Sequence, residues 1–194
     1  MTESDPIARF IGEFSRARES EPFEAGRCAL GTAGRDAAPS VRFVLLKGID
    51  ERGFVFYTNF GSDKARDLAD NPRAALAFHW HTTGVQVRVT GEVSRVSDDE
   101  SNAYFATRDR GSQLGAWASR QSEVLPERKV LDVQVAEVEK RFEHVSVERP
   151  PFWGGFRIAP EVIEFWENRN DRLHDRWRYR RRNDGAWHCV RLYP

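Results

Sequence analysis

Two cations lie in an otherwise apolar segment, 40–47, which contains Arg42 and Lys47. Burying either charge is costly without an anionic partner. A phosphate would provide one, and the guanidinium of Arg42 can bind it with two hydrogen bonds. In a regular strand the two residues have opposite parity, so they would contact different anions, unless Lys47 lies where the strand ends before Gly48. For this strand alone, the simpler interpretation is that both of its ends are exposed to water and that the two cations are solvated.

A second candidate anion site lies in the helical region that follows residue 97. Tyr104, Arg108 and Ser112 are four residues apart, so one helix face would present a phenol, a guanidinium and a hydroxyl. Gly111 is expected to break that helix, in which case Ser112 caps the next one, over 113–119, whose N-terminal N–H groups also favour phosphate. An ordinary exposed helix end explains the same residues equally well.

A third cluster follows Trp166. If the segment 172–176 is extended, Arg172, His174 and Arg176 project to one side. A histidine between two cations resists protonation, so it stays able to donate or accept a proton. The alternative is a basic surface patch, because further arginines follow as far as residue 182.

Gln86 lies on the polar face of a predicted strand, in which Val85, Val87 and Val89 alternate with polar residues. Its amide both donates and accepts hydrogen bonds, which suits the edge of a heterocycle such as a flavin. For this strand alone, a solvated outer face is the simpler interpretation.

Turn residues separate the elements that would hold these groups. An amphipathic helix is predicted over about 5–18, and a capping box from Ser97 to Glu100 predicts a helix towards Arg108. Further helices are predicted over 62–72 and 126–142. Strands are predicted over 28–32, 40–47, 54–59, 74–80, 85–93, 155–158, 162–166, 176–181 and 187–192. This succession favours an antiparallel β-barrel or α+β fold, and it contains no Rossmann unit.

The composition restricts the class of protein. The chain has 194 residues, with 30 basic and 30 acidic side chains and 40 % hydrophobic residues. These values argue against intrinsic disorder and against a nucleic-acid binder. No apolar run reaches the roughly 20 residues of a membrane helix, and acids near the N-terminus argue against a signal peptide. Cys28 and Cys189 have no metal-site spacing. We expect one cytoplasmic domain over 1–194, with no metal, membrane or nucleic-acid partner.

A series of short motifs runs through the whole chain. In order they are RFVLLK (42–47), FYTN (56–59), GSDKA (61–65), QVRVTGEV (86–93), GSQLGAWASRQS (111–122), FWGGFR (152–157), IEFW (163–166), RLHDR (172–176) and a terminal RLYP. With these motifs the sequence resembles the pyridoxamine 5′-phosphate oxidase family. The resemblance implies a mainly β (α+β) fold, an antiparallel split β-barrel with flanking helices. It also implies a homodimer with FMN at the subunit interface and C-terminal strands, about 150–194, that serve dimerisation and the active site.

The resemblance implies roles for individual residues. FMN contacts are implied for Arg42, Phe43, Val44, Leu45, Leu46, Lys47, Tyr57, Thr58, Asp63, Lys64, Gln86, Gln121, Ser122, Trp166 and Arg176. A clamp for the substrate phosphate is implied for Lys47, Tyr104, Arg108 and Ser112. Contacts to the pyridine ring are implied for Arg172, Leu173 and His174, with Arg172 and His174 as catalytic residues. Asp63 departs from the family, which commonly has a basic residue at this position.

The activity implied by the resemblance is oxidation of pyridoxamine 5′-phosphate, pyridoxine 5′-phosphate or both to pyridoxal 5′-phosphate. The cofactor would be FMN, with O₂ as electron acceptor and hydrogen peroxide as product. Two alternatives stay open at this point. One is a related FMN oxidase of another heteroaromatic compound, as in phenazine biosynthesis, and the other is a non-catalytic flavin-binding or pyridoxal-phosphate-binding protein.

Overall fold

The computed structural model describes residues 5–194, which form five α-helices and nine strands. The helices are α1 (Pro6–Ser20), α2 (Asp63–Asp70), α3 (Asp98–Ala106), α4 (Arg110–Ala118) and α5 (Arg128–Arg141). The strands are β1 (Arg27–Ala33), β2 (Pro39–Leu45), β3 (Gly48–Asp50), β4 (Gly53–Asn59), β5 (Arg73–Trp80), β6 (Val85–Arg95), β7 (Trp153–Glu167), β8 (Asp175–Arg181) and β9 (Trp187–Leu192). A 3₁₀ turn, Asn170–Arg172, joins β7 to β8.

All strand pairs are antiparallel, in the order β2-β1-β5-β6-β7-β4-β3, and the β8–β9 hairpin branches from β7. The branch arises because β7 is 15 residues long. Its first half pairs with β4 and its second half pairs with β8, while β6 runs along both halves. The sheet thus divides at β7. The predicted antiparallel sheet with flanking helices is confirmed.

A β-bulge in β7, at Glu161, lets the long strand change partners. The register between β6 and β7 shifts between Thr90 and Gly91, opposite Pro160. Pro160 has no N–H for the ladder, which suits an irregular point in the pairing. A side chain at position 91 would meet the carbonyl oxygen of Ala159 at 1.9 Å, so only glycine fits there.

The main core lies between the sheet and α1. Asp5 caps α1 by accepting a hydrogen bond from the N–H of Ile7 at 2.9 Å. Phe10 on this helix is fully buried, and its ring meets Phe54 and Phe78 edge-on with centroids 4.8 and 5.0 Å apart. These are favourable aromatic geometries that add to the burial of apolar area. The helix is therefore fixed to the sheet by its apolar face.

A smaller core joins α3, α4 and the chain after α5 to the start of β7. Its buried members are Phe105, Leu114, Ala116, Phe142, Val147 and Trp153. Val138 packs against it, whereas Val130 and Val133 of α5 stay exposed. This second cluster holds the helical segment that carries the predicted phosphate clamp.

Arg157 of β7 ties α3 to the sheet. Its guanidinium lies 2.6 Å from a carboxylate oxygen of Asp50 and 2.6 Å from one of Glu100. Glu100 is therefore engaged with Arg157, so the predicted capping box is realised by Ser97 alone, which accepts from the N–H of Glu100 at 3.1 Å. An ion pair of this kind, in which the arginine is buried, fixes geometry more than it adds stability.

Three predicted boundaries were wrong. The predicted turn after Gly48 contains a short strand, β3, because Gly48–Asp50 pairs with the start of β4. The strands predicted over 155–158 and 162–166 are one strand, β7, since a bulge at Glu161, next to Pro160, lets the pairing with β6 continue. The helix predicted to reach Arg108 ends at Ala106.

Within residues 5–194, no helix is both long and apolar enough to cross a membrane. No group of three or more His, Cys, Asp or Glu side chains in the same range is arranged to hold a metal ion.

Replacing Phe10 with alanine is expected to lower the free energy of unfolding by about 3–5 kcal/mol, because it empties a fully buried aromatic site. Urea unfolding followed by circular dichroism at fixed protein concentration measures this loss. Ile11→Ala is the matched control on the same helix, since Ile11 is 43 % exposed, and it is expected to change the value by less than about 1 kcal/mol. Similar losses in both variants would contradict the proposed docking of α1.

Candidate functional site

A cavity of about 1030 Å³ opens between β2, β4, the start of α2 and the α3–α4 segment. It is lined by most of the residues with predicted roles at a cofactor or substrate. These are Arg42, Phe43, Val44, Leu45, Lys47, Tyr57, Thr58, Asp63, Lys64, Tyr104, Arg108, Ser112, Gln121 and Ser122. Residues far apart in the sequence therefore share one cavity, which has the volume of a site for a ligand of cofactor size.

Lys64 is a buried cation at this cavity, with only 7 % of its surface exposed. Its Nζ donates to Oγ1 of Thr58 at 3.2 Å and to Oε1 of Gln121 at 3.3 Å, both neutral acceptors. Burial and the nearby charge of Arg42 lower the pKa of Lys64. A charge kept out of water without a carboxylate contact is a site that an anion would stabilise.

Arg42 lies near Lys64 and is only partly neutralised. Its guanidinium donates to Oγ1 of Thr32 and lies 3.6 Å from a carboxylate oxygen of Asp67. Asp63, in the first turn of α2, forms an ion pair with Arg66 on the same helix. The start of α2 thus combines Lys64, the cavity-facing side of Arg42 and the N-terminal N–H groups of a helix, a combination that favours a phosphate.

A cluster of three nearly parallel aromatic rings forms another wall. Tyr57 lies 4.0 Å from Tyr104 and 5.4 Å from Trp153, and Tyr104 and Trp153 are 6.2 Å apart, measured between ring centroids. The guanidinium of Arg108 lies 4.7 Å from the centre of the Trp153 ring. Its Nη1 is buried without a hydrogen-bond partner among residues 5–194, and burial lowers the pKa of Arg108. An unsatisfied buried guanidinium N–H fits a site for a second anion.

The prediction that Tyr104, Arg108 and Ser112 share one helix face was wrong. The chain leaves α3 before Arg108 and starts α4 with Asp109 as N-cap, whose carboxylate accepts from the N–H of Ser112 at 2.8 Å. Ser112 therefore does not cap a helix, and Gly111 lies inside the first turn of α4 instead of breaking a helix. The turn at Asp109 is what brings the three side chains to the same cavity.

Lys47 lies beyond the end of β2, which stops at Leu45, so strand parity does not decide its direction. Its Nζ forms an ion pair with Glu24 at 2.9 Å. Lys47 also lines a neighbouring cavity of about 480 Å³ near the end of α1. The cation thus stands between two cavities with a carboxylate as its present partner.

Gln86, Trp166 and Arg176 form a second group on the outer face of the sheet. They are direct cross-strand neighbours, Gln86 opposite Trp166 and Trp166 opposite Arg176. The ring of His174 lies 4.3 Å from that of Trp166. None of the four lines the first cavity. In one chain, the predicted site residues thus form two separate groups.

The segment 172–176 is not extended throughout, because β8 begins only at Asp175. The chain turns after β7, and Asp171 and Arg172 have positive φ angles of 56° and 61°. Arg172 and Leu173 are exposed on this turn, Leu173 by 68 %. Nδ1 of His174 accepts from the N–H of Arg169 at 3.2 Å, which fixes the imidazole next to the outer-face group.

Leu46 differs from the other residues of its motif, because its side chain is buried in the main core. Sequence reasoning also missed three residues that build the site. Trp153 supports Arg108, Asp109 starts α4, and Glu164 binds Arg176. An acid three residues before Ser112 is the usual spacing of a helix N-cap, so Asp109 had a readable signal.

Comparison with known proteins gives a consistent result. A family model described as "Pyridoxamine 5'-phosphate oxidase" matches residues 17–142. A second, described as "Pyridoxine 5'-phosphate oxidase C-terminal dimerisation region", matches residues 153–194. The first contains the cavity-lining residues up to Ser122, and the second contains Trp166 and Arg176. The two groups of site residues therefore divide almost as the two family models do.

Similar proteins extend over nearly the whole chain. A pyridoxine/pyridoxamine 5′-phosphate oxidase of Rubrobacter xylanophilus is 55 % identical over 98 % of this chain and 87 % of its own length. The corresponding protein of Anaeromyxobacter dehalogenans is 54 % identical over 98 % of this chain and 96 % of its own.

Two solved structures are also similar. PhzG from Burkholderia lata, in complex with tetrahydrophenazine-1-carboxylic acid, has a TM-score of 0.94 at 31 % identity and covers 100 % of this chain and 94 % of its own. An FMN-binding protein from Nostoc punctiforme related to pyridoxamine 5′-phosphate oxidase has a TM-score of 0.78 at 19 % identity, with both chains covered completely, and supports the split-barrel fold. With two family models covering most of its length and relatives more than half identical, the chain belongs to the pyridoxamine 5′-phosphate oxidase family.

Proposed function

We propose that the protein is an FMN-dependent oxidase that converts pyridoxamine 5′-phosphate, pyridoxine 5′-phosphate or both to pyridoxal 5′-phosphate. Relatives named for this activity are 50–55 % identical to it. One observation carries the proposal: a single cavity holds two desolvated cations, Lys64 and Arg108, and neither forms an ion pair within residues 5–194. Such a cavity suits one phosphate from the cofactor and another from the substrate.

The start of α2 fits the phosphate of FMN. Lys64 and Arg42 would hold its charge, and the helix N-terminus would add backbone donors. Thr58 and Gln121, already joined by a 2.8 Å hydrogen bond, would fix the lysine amine between them. When bound, FMN supplies the redox chemistry by accepting a hydride from the 4′ carbon of the substrate and passing two electrons to O₂, which leaves as hydrogen peroxide.

A homodimer is supported by the match of the C-terminal strands to a dimerisation region. Trp153, at the first cavity, and Trp166, in the outer-face group, are thirteen residues apart on β7. At about 3.3 Å per residue this is roughly 40 Å of strand, more than one cofactor spans. We infer that Gln86, Trp166 and Arg176 complete the site of the other subunit.

The substrate phosphate would be bound by Arg108, with Tyr104, Ser112 and Lys47. Arg108 offers a buried donor, and its stacking on Trp153 fixes the plane of the guanidinium. Lys47 would exchange Glu24 for the phosphate, because both are anions and Glu24 is half exposed.

Arg172 and His174, with Leu173, would hold the pyridine ring and act at the reacting carbon. Their position at the turn after β7, next to Trp166, connects them to the outer-face group. We further propose the cytoplasm as the location and vitamin B6 metabolism as the pathway, since a doubly charged phosphate ester crosses a membrane only at high cost.

The similarity to PhzG supports a second candidate, oxidation of a phenazine precursor, because its structure contains tetrahydrophenazine-1-carboxylic acid. A carboxylate could also bind the unsatisfied N–H of Arg108. Two separate desolvated cations favour the phosphorylated substrate. The carboxylate of a tricyclic phenazine precursor carries less negative charge than a phosphate, so one of the two anion sites would be less fully neutralised.

The proposed function is tested with the purified protein. We expect a yellow dimer that releases FMN on denaturation, bleaches anaerobically with pyridoxamine 5′-phosphate and produces hydrogen peroxide in air. Pyridoxine 5′-phosphate, both unphosphorylated vitamers and a dihydrophenazine carboxylic acid are the comparison substrates. Turnover of the phenazine compound alone, or release of FAD, would contradict the proposal.

Lys64→Met is expected to raise the free energy of unfolding of the FMN-free protein by about 1 kcal/mol, since it removes a buried charge without a carboxylate partner. The same variant should bind FMN at least about tenfold more weakly, because a charge-assisted contact to the phosphate is lost. Lys129→Met, at an exposed position on α5, is the control for both measurements.

The pH dependence provides a second readout of Lys64. Folding lowers its pKa, so the folded protein disfavours the protonated amine. This penalty is fully present below the folded-state pKa and disappears as the pH rises towards the unfolded value. The stability advantage of Lys64→Met should therefore shrink as the pH rises into the alkaline range. An advantage that grows with pH would show that the buried charge is not its cause.

Arg108→Ala is expected to lower kcat/KM for pyridoxamine 5′-phosphate by about 10- to 100-fold, mainly through KM, because a charge-assisted hydrogen bond is lost. FMN content and activity on unphosphorylated pyridoxamine should stay nearly unchanged. Arg172→Ala should impair both substrates, since both contain the pyridine ring.

Arg128→Ala, at an exposed position on α5, is the control for this series. Loss of flavin from Arg108→Ala, or equal losses on both substrates, would contradict its assignment to the substrate phosphate.

A further inference from the structure

Glu164 lies on the outer face of the sheet, yet its side chain is only 5 % exposed. Three arginines cover it. Arg88 and Arg178 are its direct cross-strand neighbours on β6 and β8, and Arg176 lies two residues from Arg178 on β8. A carboxylate at this position is thus enclosed by cations from both adjacent strands.

The two carboxylate oxygens of Glu164 are divided between two arginines. Oε1 accepts from Nε and Nη2 of Arg176 at 3.2 and 2.7 Å. Oε2 accepts from Nε of Arg178 at 2.9 Å and lies 2.8 Å from its Nη2. Each guanidinium therefore binds one oxygen with two nitrogen atoms, while Arg88 lies farther away, at 3.9 Å. This arrangement fixes the plane of Arg176.

Arg176 has one further contact, from Nη1 to the carbonyl oxygen of Tyr193 at 3.0 Å. A guanidinium has five N–H donors, and these contacts to Glu164 and Tyr193 use three of them. Arg176 is also the cross-strand neighbour of Trp166, so the remaining donors lie beside the outer-face group.

The charge balance explains why a carboxylate is needed there. Burial opposes the ionised form of Glu164, but the hydrogen bonds from Arg176 and Arg178 outweigh it and hold its pKa below the ordinary value. Without this negative charge, three guanidinium groups on adjacent strands would repel one another. Arg176 would then lose its fixed orientation as well as its counter-ion.

We propose that Glu164 is a positioning residue for the flavin site, acting through Arg176. This inference rests on the proposed function, because Arg176 is a proposed FMN contact. Glu164 itself would not touch the cofactor. Its role is to hold the Arg176 guanidinium in the one orientation that presents its remaining donors to a ligand bound beside Trp166.

The test is FMN affinity, measured by fluorescence titration of the FMN-free protein. Glu164→Gln removes the charge with little change in size and is expected to weaken FMN binding by about 10- to 100-fold. Glu161→Gln is the matched control, since Glu161 is on the same strand and also binds an arginine, Arg73, but lies outside this cluster. It should leave FMN affinity unchanged.

A double-mutant cycle separates positioning from a general structural effect. If Glu164 acts through Arg176, Glu164→Gln should weaken FMN binding no further in a protein that already carries Arg176→Gln. An equal loss in both backgrounds, or wild-type affinity in Glu164→Gln, would overturn the inference.

Arg178→Gln provides an answer even if Glu164→Gln does not fold. It should keep FMN affinity, because Glu164 still binds Arg176, whereas a loss as large as that of Arg176→Gln would overturn the inference. Wild-type protein that binds FMN but oxidises neither phosphorylated vitamer would contradict the proposed function and still allow this test.

Discussion

The pairing of β7 separates the two groups of candidate site residues in this chain. A strand of 15 residues that pairs with β4 in its first half and β8 in its second carries Trp153 at one end and Trp166 near the other. The bulge at Glu161, next to Pro160, makes this possible, since it changes the register without ending the strand. One element therefore supports both the cavity and the outer-face group, while its length keeps them apart. A second copy of the chain is the simplest way to unite them.

Desolvated positive charge is the second constraint on the site. Lys64 is held by neutral oxygens, and Arg108 rests on an aromatic ring with one N–H unsatisfied. Both arrangements cost folding free energy in the absence of an anion. The well-packed clusters around Phe10 and around Phe105 offset that cost. Both cations are thus held in place without a bound anion, which would reduce the reorganisation needed to bind one.

Much of this site could be predicted from the sequence, because the short motifs identify the family and three of their cations, Arg42, Lys47 and Lys64, line one cavity. The local backbone geometry of the site was harder to predict from the sequence. The choice between Gly111 as a helix breaker and Asp109 as a cap depends on which turn the chain adopts, and several residues there can cap a helix. The left-handed Arg172 could not be foreseen, since residues other than glycine seldom adopt positive φ. Nor could Glu164 be identified, because its role depends on register across three strands.

The departure at Asp63 illustrates how the local charges compensate one another. An acid where the family commonly has a base would weaken a phosphate site if it acted alone. Here its carboxylate is paired with Arg66, one turn further along α2, and its place in the first turn suits the helix dipole. Arg42 is similarly shared with Asp67, whereas Lys64 has only neutral acceptors. The positive charge available to a phosphate is therefore concentrated on Lys64, with Arg42 as its neighbour. Lys64 is therefore the less neutralised of the two cations, and its burial strengthens its electrostatic interactions, because a buried charge interacts more strongly than an exposed one.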